Sequence, residues 1–233
     1  MDINKLKKHF LLLQINDSLF PIGAYSHSYG LETYIQKQIV FDANSAYKYI
    51  QNRLMYNFLY TDLLAVKLSY EAMAKQDINE IDRLENLIEA SKIPKEIRDA
   101  SQKIGKRFIK TILHMDLAWD SKAFFSYLEV RNGKSTSQPC AYGAFCSCMD
   151  MDKTEVLANY LYAQTSSMIT TCVKTVPLSQ SEGQKLLASF SGLFANLLSK
   201  VEILDDTMLG LSTPGFDLRS IQHEHLYSRL YMS

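Results

Sequence analysis

The residues with the strongest chemical character lie near the start of the chain, in the stretch FPIGAYSHSYGLE at residues 20–32. His27 has the side chain of a general base, and Ser26 and Ser28 on either side of it carry hydroxyl groups. No serine or cysteine stands at a spacing that assigns it to His27 as a nucleophile, and hydrogen bonds to the local backbone explain the two hydroxyls more simply. The stretch is therefore either a folded corner or a binding surface.

Motifs for nucleotide and metal-assisted catalysis are absent from the sequence. Gly105-Lys106 lacks a glycine at the spacing of a phosphate-binding loop and is followed by Arg107. Neither a Gly-x-Ser-x-Gly elbow nor a His-Glu-x-x-His helix occurs. We therefore predict that the chain is not an enzyme and holds no cofactor, so that a nucleotide-driven process would need another chain to bind the nucleotide.

Two groups of residues could ligate a metal ion. Cys140, Cys146 and Cys148 lack the paired spacing and the further ligands of a structural zinc site, and small buried side chains are the simpler interpretation. His223 and His225 are imidazoles of the kind that nickel and zinc favour, but residues two apart do not share a helix face. We predict no metal site and keep His or Cys ligation as an alternative.

Length and composition describe a globular chain. Its 233 residues are 47% apolar and 21% charged, with 25 basic and 25 acidic side chains, so no net field attracts nucleic acid or anionic lipid. Apolar residues recur at three- and four-residue steps, which predicts helices, and no segment predicts a strand. We expect an all-α, single-domain bundle of about ten helices over residues 1–233, in the cytoplasm and with reduced cysteines.

The stretch from Val156 to Val173 contains no formal charge over 18 residues. Its length approaches that of a membrane span, but amide and hydroxyl side chains make it too polar. Such a helix is either buried centrally or packed against a second subunit. Tyr160 and Tyr162 lie on different faces, so we name both as candidate residues of a homodimer interface.

The end of the chain has a different character. Residues 205–216 predict a mobile connection, and the tail at residues 217–233 predicts a helix with Leu218, Ile221, Leu226 and Leu230 on one broad face. Arg229 falls within that apolar face. Either its stem packs while its charge bends to solvent, or it is a planar anchor for a partner's carboxylate or carbonyl groups.

Three motifs, in order along the chain, resemble the urease accessory protein UreF family. They are the stretch at residues 20–32, the segment VPLSQ at 176–180 with Gly183-Gln184 after it, and the tail from His223 to Tyr231. Ser179 stands where many members of that family have glycine, so we expect its turn to form by helix capping instead.

The resemblance implies a function that composition and spacing do not give. UreF proteins are all-α cytoplasmic chaperones that form two-fold dimers, bind UreD (UreH in some species) and recruit the nickel-carrying GTPase UreG to activate apo-urease. By motif, the implied partner-binding residues are Tyr25, His27, Ser28, Gly30, Glu32, Arg229 and Tyr231. The alternative is a direct nickel carrier using His or Cys ligands, and a third possibility makes Arg229 a finger that enters the GTPase site.

Overall fold

A computed structural model describes residues 3–119, 122–211 and 213–233, without the side chain of Tyr25. These residues form helices and loops and contain no strand, which confirms the predicted all-α single-domain bundle. The α-helices, in chain order, are α1 Ile3–Asn16, α2 Leu31–Gln36, α3 Ala43–Arg53, α4 Leu64–Ala74, α5 Ile78–Ser91, α6 Lys95–Leu113, α7 Lys122–Val130, α8 Gln138–Cys148, α9 Lys153–Thr175, α10 Gln180–Ser189, α11 Ser191–Glu202 and α12 Pro214–His223. The apolar spacing predicts a helix from Ser121 to Val130, and the first residue of that range lies outside the described residues.

Side-chain caps set several helix starts. Asp42 accepts a hydrogen bond from the Ser45 N–H at 2.8 Å and opens α3, as its position predicts. Ser179 and Glu182 form a reciprocal capping box at α10, with the Glu182 carboxylate 2.7 Å from the Ser179 N–H. The turn before α10 is therefore capped by a serine hydroxyl, as expected for a serine in place of glycine.

Helices α3 and α4 belong to one continuous helix. This matches the apolar residues that recur at three- and four-residue steps from Tyr47 towards Ala74. The central ten residues, Leu54–Leu63, form a π-helix, which the apolar period alone does not predict. The α4 portion packs closely against α8 at Gly143, which has no Cβ. A Cβ at this position would stand 2.4 Å from the Val66 carbonyl oxygen. Residues on both sides of this crossing, Val66 of α4 and Ala144 of α8, belong to the apolar core.

Helix α9 is mainly a core element. Val156, Leu161 and Ile169 are buried on it, and no helix of the described ranges is both long and apolar enough to cross a membrane. Tyr160 is only 2% exposed and donates a hydrogen bond to the Gln138 side chain at 2.7 Å. A side chain covered by its own chain cannot face a second subunit, so naming Tyr160 for a dimer interface was wrong. Tyr162 is half exposed and stays a candidate.

The cysteines of α8 behave as small apolar side chains. Cys140 and Cys146 are fully buried, and Cys148 is half-buried. Burial raises the pKa of the Cys140 and Cys146 thiols well above the usual range, so the thiolate that a metal ion binds is disfavoured.

The tail departs from the predicted continuous helix. Helix α12 ends at His223, and residues 224–233, here called the end stretch, run through turns back to the signature segment at residues 20–32. The predicted helical face that joins Leu218 to Leu230 is therefore wrong beyond His223. The connection before α12 makes fixed contacts, including a bond from the Gly210 N–H to the Tyr60 carbonyl at 2.8 Å, and its mobility stays a prediction.

Candidate partner-binding site

The end stretch is joined to the signature segment through backbone hydrogen bonds. The N–H groups of Ser28 and Tyr29 both donate to the Ser233 carbonyl oxygen, at 2.6 and 2.9 Å. The Met232 N–H donates in return to the Ser26 carbonyl at 2.9 Å. Two parts of the chain about two hundred residues apart are thus paired as a short backbone ladder.

Glu32, in the first turn of α2, is the main acceptor for the end stretch. Its carboxylate accepts the N–H of Leu230 at 2.7 Å and the N–H of Tyr231 at 3.0 Å. It also lies 2.9 Å from Nε2 of His223. Because the chain has left helical geometry, these N–H groups have no carbonyl four residues earlier to bond, and the buried carboxylate replaces that acceptor.

A chain of ionisable side chains continues from Glu32 to the surface. His223 is fully buried, with Nε2 against Glu32 and Nδ1 2.7 Å from Glu96 of α6. The other oxygen of Glu96 accepts from Nη1 of Arg229 at 2.5 Å. The network joins α2, α6, α12 and the end stretch.

His27 also helps to hold the end stretch against the signature segment. Its Nδ1 lies 2.8 Å from the Ser233 hydroxyl, and the neighbouring Ser28 hydroxyl donates to the Ser233 carbonyl at 2.8 Å. Burial, together with the positive charge of Lys103, lowers the pKa of His27. The neutral imidazole is therefore the form that suits this position.

Gly30 lets α12 approach the signature segment. Its φ of +82° is one that side chains rarely adopt, and a Cβ there would lie 2.6 Å from the Ser220 hydroxyl oxygen and 3.1 Å from the Ser220 Cα. No other residue type fits without moving α12.

The structure brings together most of the residues that the resemblance implies. They form a buried contact with the end stretch rather than an open binding surface. His27, Ser28, Glu32 and Tyr231 are buried and hold the end stretch in place. Tyr25 lies in a short 3-10 turn, and its side chain is outside the described part of the chain. The groups that face solvent are those of the end stretch, here called the tail surface: Tyr227, Arg229, Leu230 and Met232.

The sequence did not point to three residues of this junction, Glu96, Ser220 and Ser233. Each meets its partner across more than a hundred residues, and none stands in a local pattern that marks it. The sequence offers His223 as a possible metal ligand, as a solvated or partner-facing side chain and as part of the tail motif, but not as a buried contact. In the structure its two nitrogens contact carboxylates, His225 is exposed, and no group of three metal-ligating side chains occurs within the described ranges.

Comparisons with known proteins agree with the resemblance. The profile of the UreF family matches residues 40–191. Urease accessory protein UreF of Actinobacillus pleuropneumoniae serotype 5b (strain L20) is 34% identical over 225 residues, covering 95% of this chain and 97% of that protein. The protein of the same name from Lachnoclostridium phytofermentans is 30% identical over 95% of this chain and 97% of its own length. The one from Ureaplasma parvum serovar 3 is 32% identical, with 95% of each chain covered.

Proposed function

Because this chain belongs to the UreF family of urease accessory proteins, we propose that it is a cytoplasmic adaptor, rather than a catalyst, in urease maturation. In this role it bridges a UreD/UreH-type accessory protein and a UreG-type GTPase, and the assembly promotes GTP-dependent nickel insertion into apo-urease. The family is one of accessory proteins and not of enzymes, which agrees with the absence of catalytic motifs in the sequence.

The observation that carries this proposal is the tail surface. Tyr227 is fully exposed, Leu230 and Met232 are more than half exposed, and Arg229 stands among them with a partly exposed guanidinium. Aromatic and apolar side chains around an arginine are the composition of a protein-binding hot spot. Since the buried network fixes the end stretch, the surface is preorganised, which lowers the entropy lost when a partner binds.

Each partner-binding residue has a part in this proposal. Arg229 contacts the GTPase directly, while Glu32, His27, Ser28 and Tyr231 act by holding the end stretch in its docked position. Gly30 permits the α12 contact. Tyr25 stays a candidate contact on the signature segment, and Tyr162 of α9 is the candidate for a homodimer interface.

Arg229→Ala tests the proposal. The variant is expected to fold normally and to bind the UreD/UreH-type protein, but to lose co-elution with the GTPase by at least tenfold in apparent affinity. Arg107→Ala is the matched control, because Arg107 is exposed and lies on α6 away from the tail surface. Undiminished co-elution of the Arg229 variant with the GTPase would contradict the proposed role.

Two further readouts separate the alternatives. Calorimetry with Ni²⁺ on the isolated chain tests the direct carrier: tight stoichiometric binding that a His223/His225 double variant loses would favour that function over the adaptor. Within the described residues no contact favours it, since His223 is already held by two carboxylates. Single-turnover GTP hydrolysis at saturating complex tests whether Arg229 docks the GTPase or acts as a finger in its site.

A further inference from the structure

Helix α6 carries a row of cations on its solvent face, here called the basic stripe: Lys103, Lys106, Arg107 and Lys110. All four residues are exposed, and their three- and four-residue spacing places them on one side of the helix, opposite the buried Phe108. Within the described part of the chain, none of the four side chains forms an ion pair or a hydrogen bond. The stripe is therefore a local excess of positive charge.

The stability of α6 does not explain this stripe. Its members form four pairs of like charges that stand three or four residues apart, and such pairs destabilise a helix. No acidic residue occurs at residues 100–115 to offset them, and Asp99, one turn before Lys103, forms no ion pair with it. The helix dipole favours a cation only in the last turn, which holds Lys110 alone of the four. The arrangement therefore suits a partner better than it suits the fold.

The basic stripe begins beside the docked end stretch. Glu96, which holds Arg229, stands two helical turns before Lys103 and thus on the same face of α6. Burial and then the positive charge of Lys103 lower the pKa of His27, so Lys103 lies near that ring. The His27 ring in turn contacts the Ser233 hydroxyl. The stripe and the tail surface are therefore neighbours along one helix face.

One protein partner is large enough to cover both surfaces. From Glu96 to Lys110 the helix rises by about 21 Å, at about 1.5 Å per residue. A standard interface covers about 800 Å² of each partner, which is a square with a side of roughly 28 Å. The 25 basic and 25 acidic side chains balance over the chain, so the stripe lacks the wider positive field that draws nucleic acid or anionic lipid. Carboxylates on a protein surface are the complement that fits it.

We propose that the basic stripe extends the tail surface and contacts an acidic face of the UreG-type GTPase. This inference rests on the proposed adaptor function, because the GTPase is the partner assigned to Arg229. The stripe speeds formation of the complex, since exposed charges at the rim of an interface act mainly on the association rate. One exposed cation contributes little, so Arg107→Ala alone should change GTPase binding by about twofold or less and stays a valid control for Arg229→Ala.

The association rate of the GTPase with a chain that lacks the stripe's charge tests the proposal. The neutral variant combines Lys103→Gln, Lys106→Gln, Arg107→Gln and Lys110→Gln. At low ionic strength its association rate should fall by about tenfold or more. At about 1 M salt, where the screening length is about 3 Å, it should associate as fast as the wild type.

A control variant removes the same charge from exposed lysines outside α6, by combining Lys7→Gln, Lys48→Gln, Lys75→Gln and Lys185→Gln. It should associate with the GTPase as fast as the wild type does. The neutral variant should melt at the same temperature as the wild type or higher, because its like-charge pairs are gone. Slower association would then not be caused by unfolding.

Carbodiimide coupling, which joins an amine to a carboxylate in direct contact, tests the stripe in the unmodified assembly. It should join Lys106 or Lys110 to carboxylates of the GTPase. Coupling of these lysines only to another component of the assembly, or to none, would overturn the proposal.

The outcomes separate this inference from the adaptor function. If the neutral variant associates as fast as the wild type at low ionic strength while Arg229→Ala loses GTPase binding, the stripe has no docking role and the adaptor function stands. If the wild-type chain does not bind the GTPase, both are overturned. Binding of a DNA duplex of about 20 base pairs that the neutral variant loses, with unchanged GTPase association, would assign the stripe to nucleic acid and overturn the proposal.

Discussion

Replacing Glu32 by glutamine should release the end stretch while leaving the bundle folded. The carboxylate accepts the N–H groups of Leu230 and Tyr231 and contacts Nε2 of His223. A glutamine of the same size presents one oxygen and one NH₂ group, so at least one of these donors faces another donor. The substitution removes an acceptor from a site that is buried beneath the end stretch.

The magnitude follows from the contacts that are lost. A hydrogen bond to a charged acceptor contributes about 1.5–3 kcal/mol, and a buried donor left without a partner costs about 1–3 kcal/mol. Taking the lower part of both ranges, Glu32→Gln weakens docking of the end stretch by about 3 kcal/mol. Since 1.4 kcal/mol is a factor of about ten, the opened population rises roughly a hundredfold.

Amide hydrogen exchange read by mass spectrometry or NMR measures this opening. In the wild-type chain the Leu230 and Tyr231 amides should be protected, and in Glu32→Gln their exchange should accelerate roughly a hundredfold. Glu129→Gln is the control, because Glu129 is exposed on α7 far from the end stretch. Exchange rates in Glu32→Gln within about threefold of those in the control would refute the anchoring role of this carboxylate.

Three further predictions concern stability. Gly30→Ala should lower the free energy of unfolding by about 2 kcal/mol or more, because it combines a positive φ with a clash at Ser220, and urea unfolding measures it. Gly143→Ala should lower it by about 1–3 kcal/mol, since its Cβ meets the Val66 carbonyl at the α4–α8 crossing. His27→Gln should flatten part of the pH dependence of the free energy of unfolding. The folded pKa of His27 is lowered from 6.5, so the unfolded state binds more protons and stability falls as pH drops below about 6.5.

The controls for these predictions come from the same chain. Gly192→Ala has open space around its Cβ and lies within α11, so it should leave stability unchanged or raise it by up to about 1 kcal/mol. Either buried glycine variant behaving like Gly192→Ala would contradict the packing described at that position. Unfolding curves of His27→Gln that keep the full wild-type slope between pH 5 and pH 7 would contradict the assignment to His27.

Much of the fold is predictable from local sequence. The apolar period gives the helices, and Asp42, Asp152 and Ser179 mark helix starts because a short polar side chain before an apolar run satisfies free N–H groups within three residues. The π-helix at Leu54–Leu63 was not predicted, since apolar residues at three- and four-residue steps do not distinguish it from an α-helix.

The site was only partly predictable. The resemblance brought attention to Glu32 and Arg229, but the periodicity of the tail predicted a helix through Leu230. That prediction failed because the end stretch satisfies its N–H groups on Glu32 and Ser26 instead of on its own carbonyls. A helix period reports only contacts three or four residues apart, so a junction between the two ends of the chain leaves no trace in it.

The measurement that tests the proposed function most directly is a bridging experiment with purified components. Immobilised UreD/UreH-type protein is mixed with the UreG-type GTPase, nickel and GTP, with and without this chain, and the retained GTPase is quantified. The adaptor account predicts that the GTPase is retained only when the chain is present, and that Arg229→Ala and Glu32→Gln each lower retention while Glu129→Gln does not. Retention that is equally strong without this chain would contradict the account.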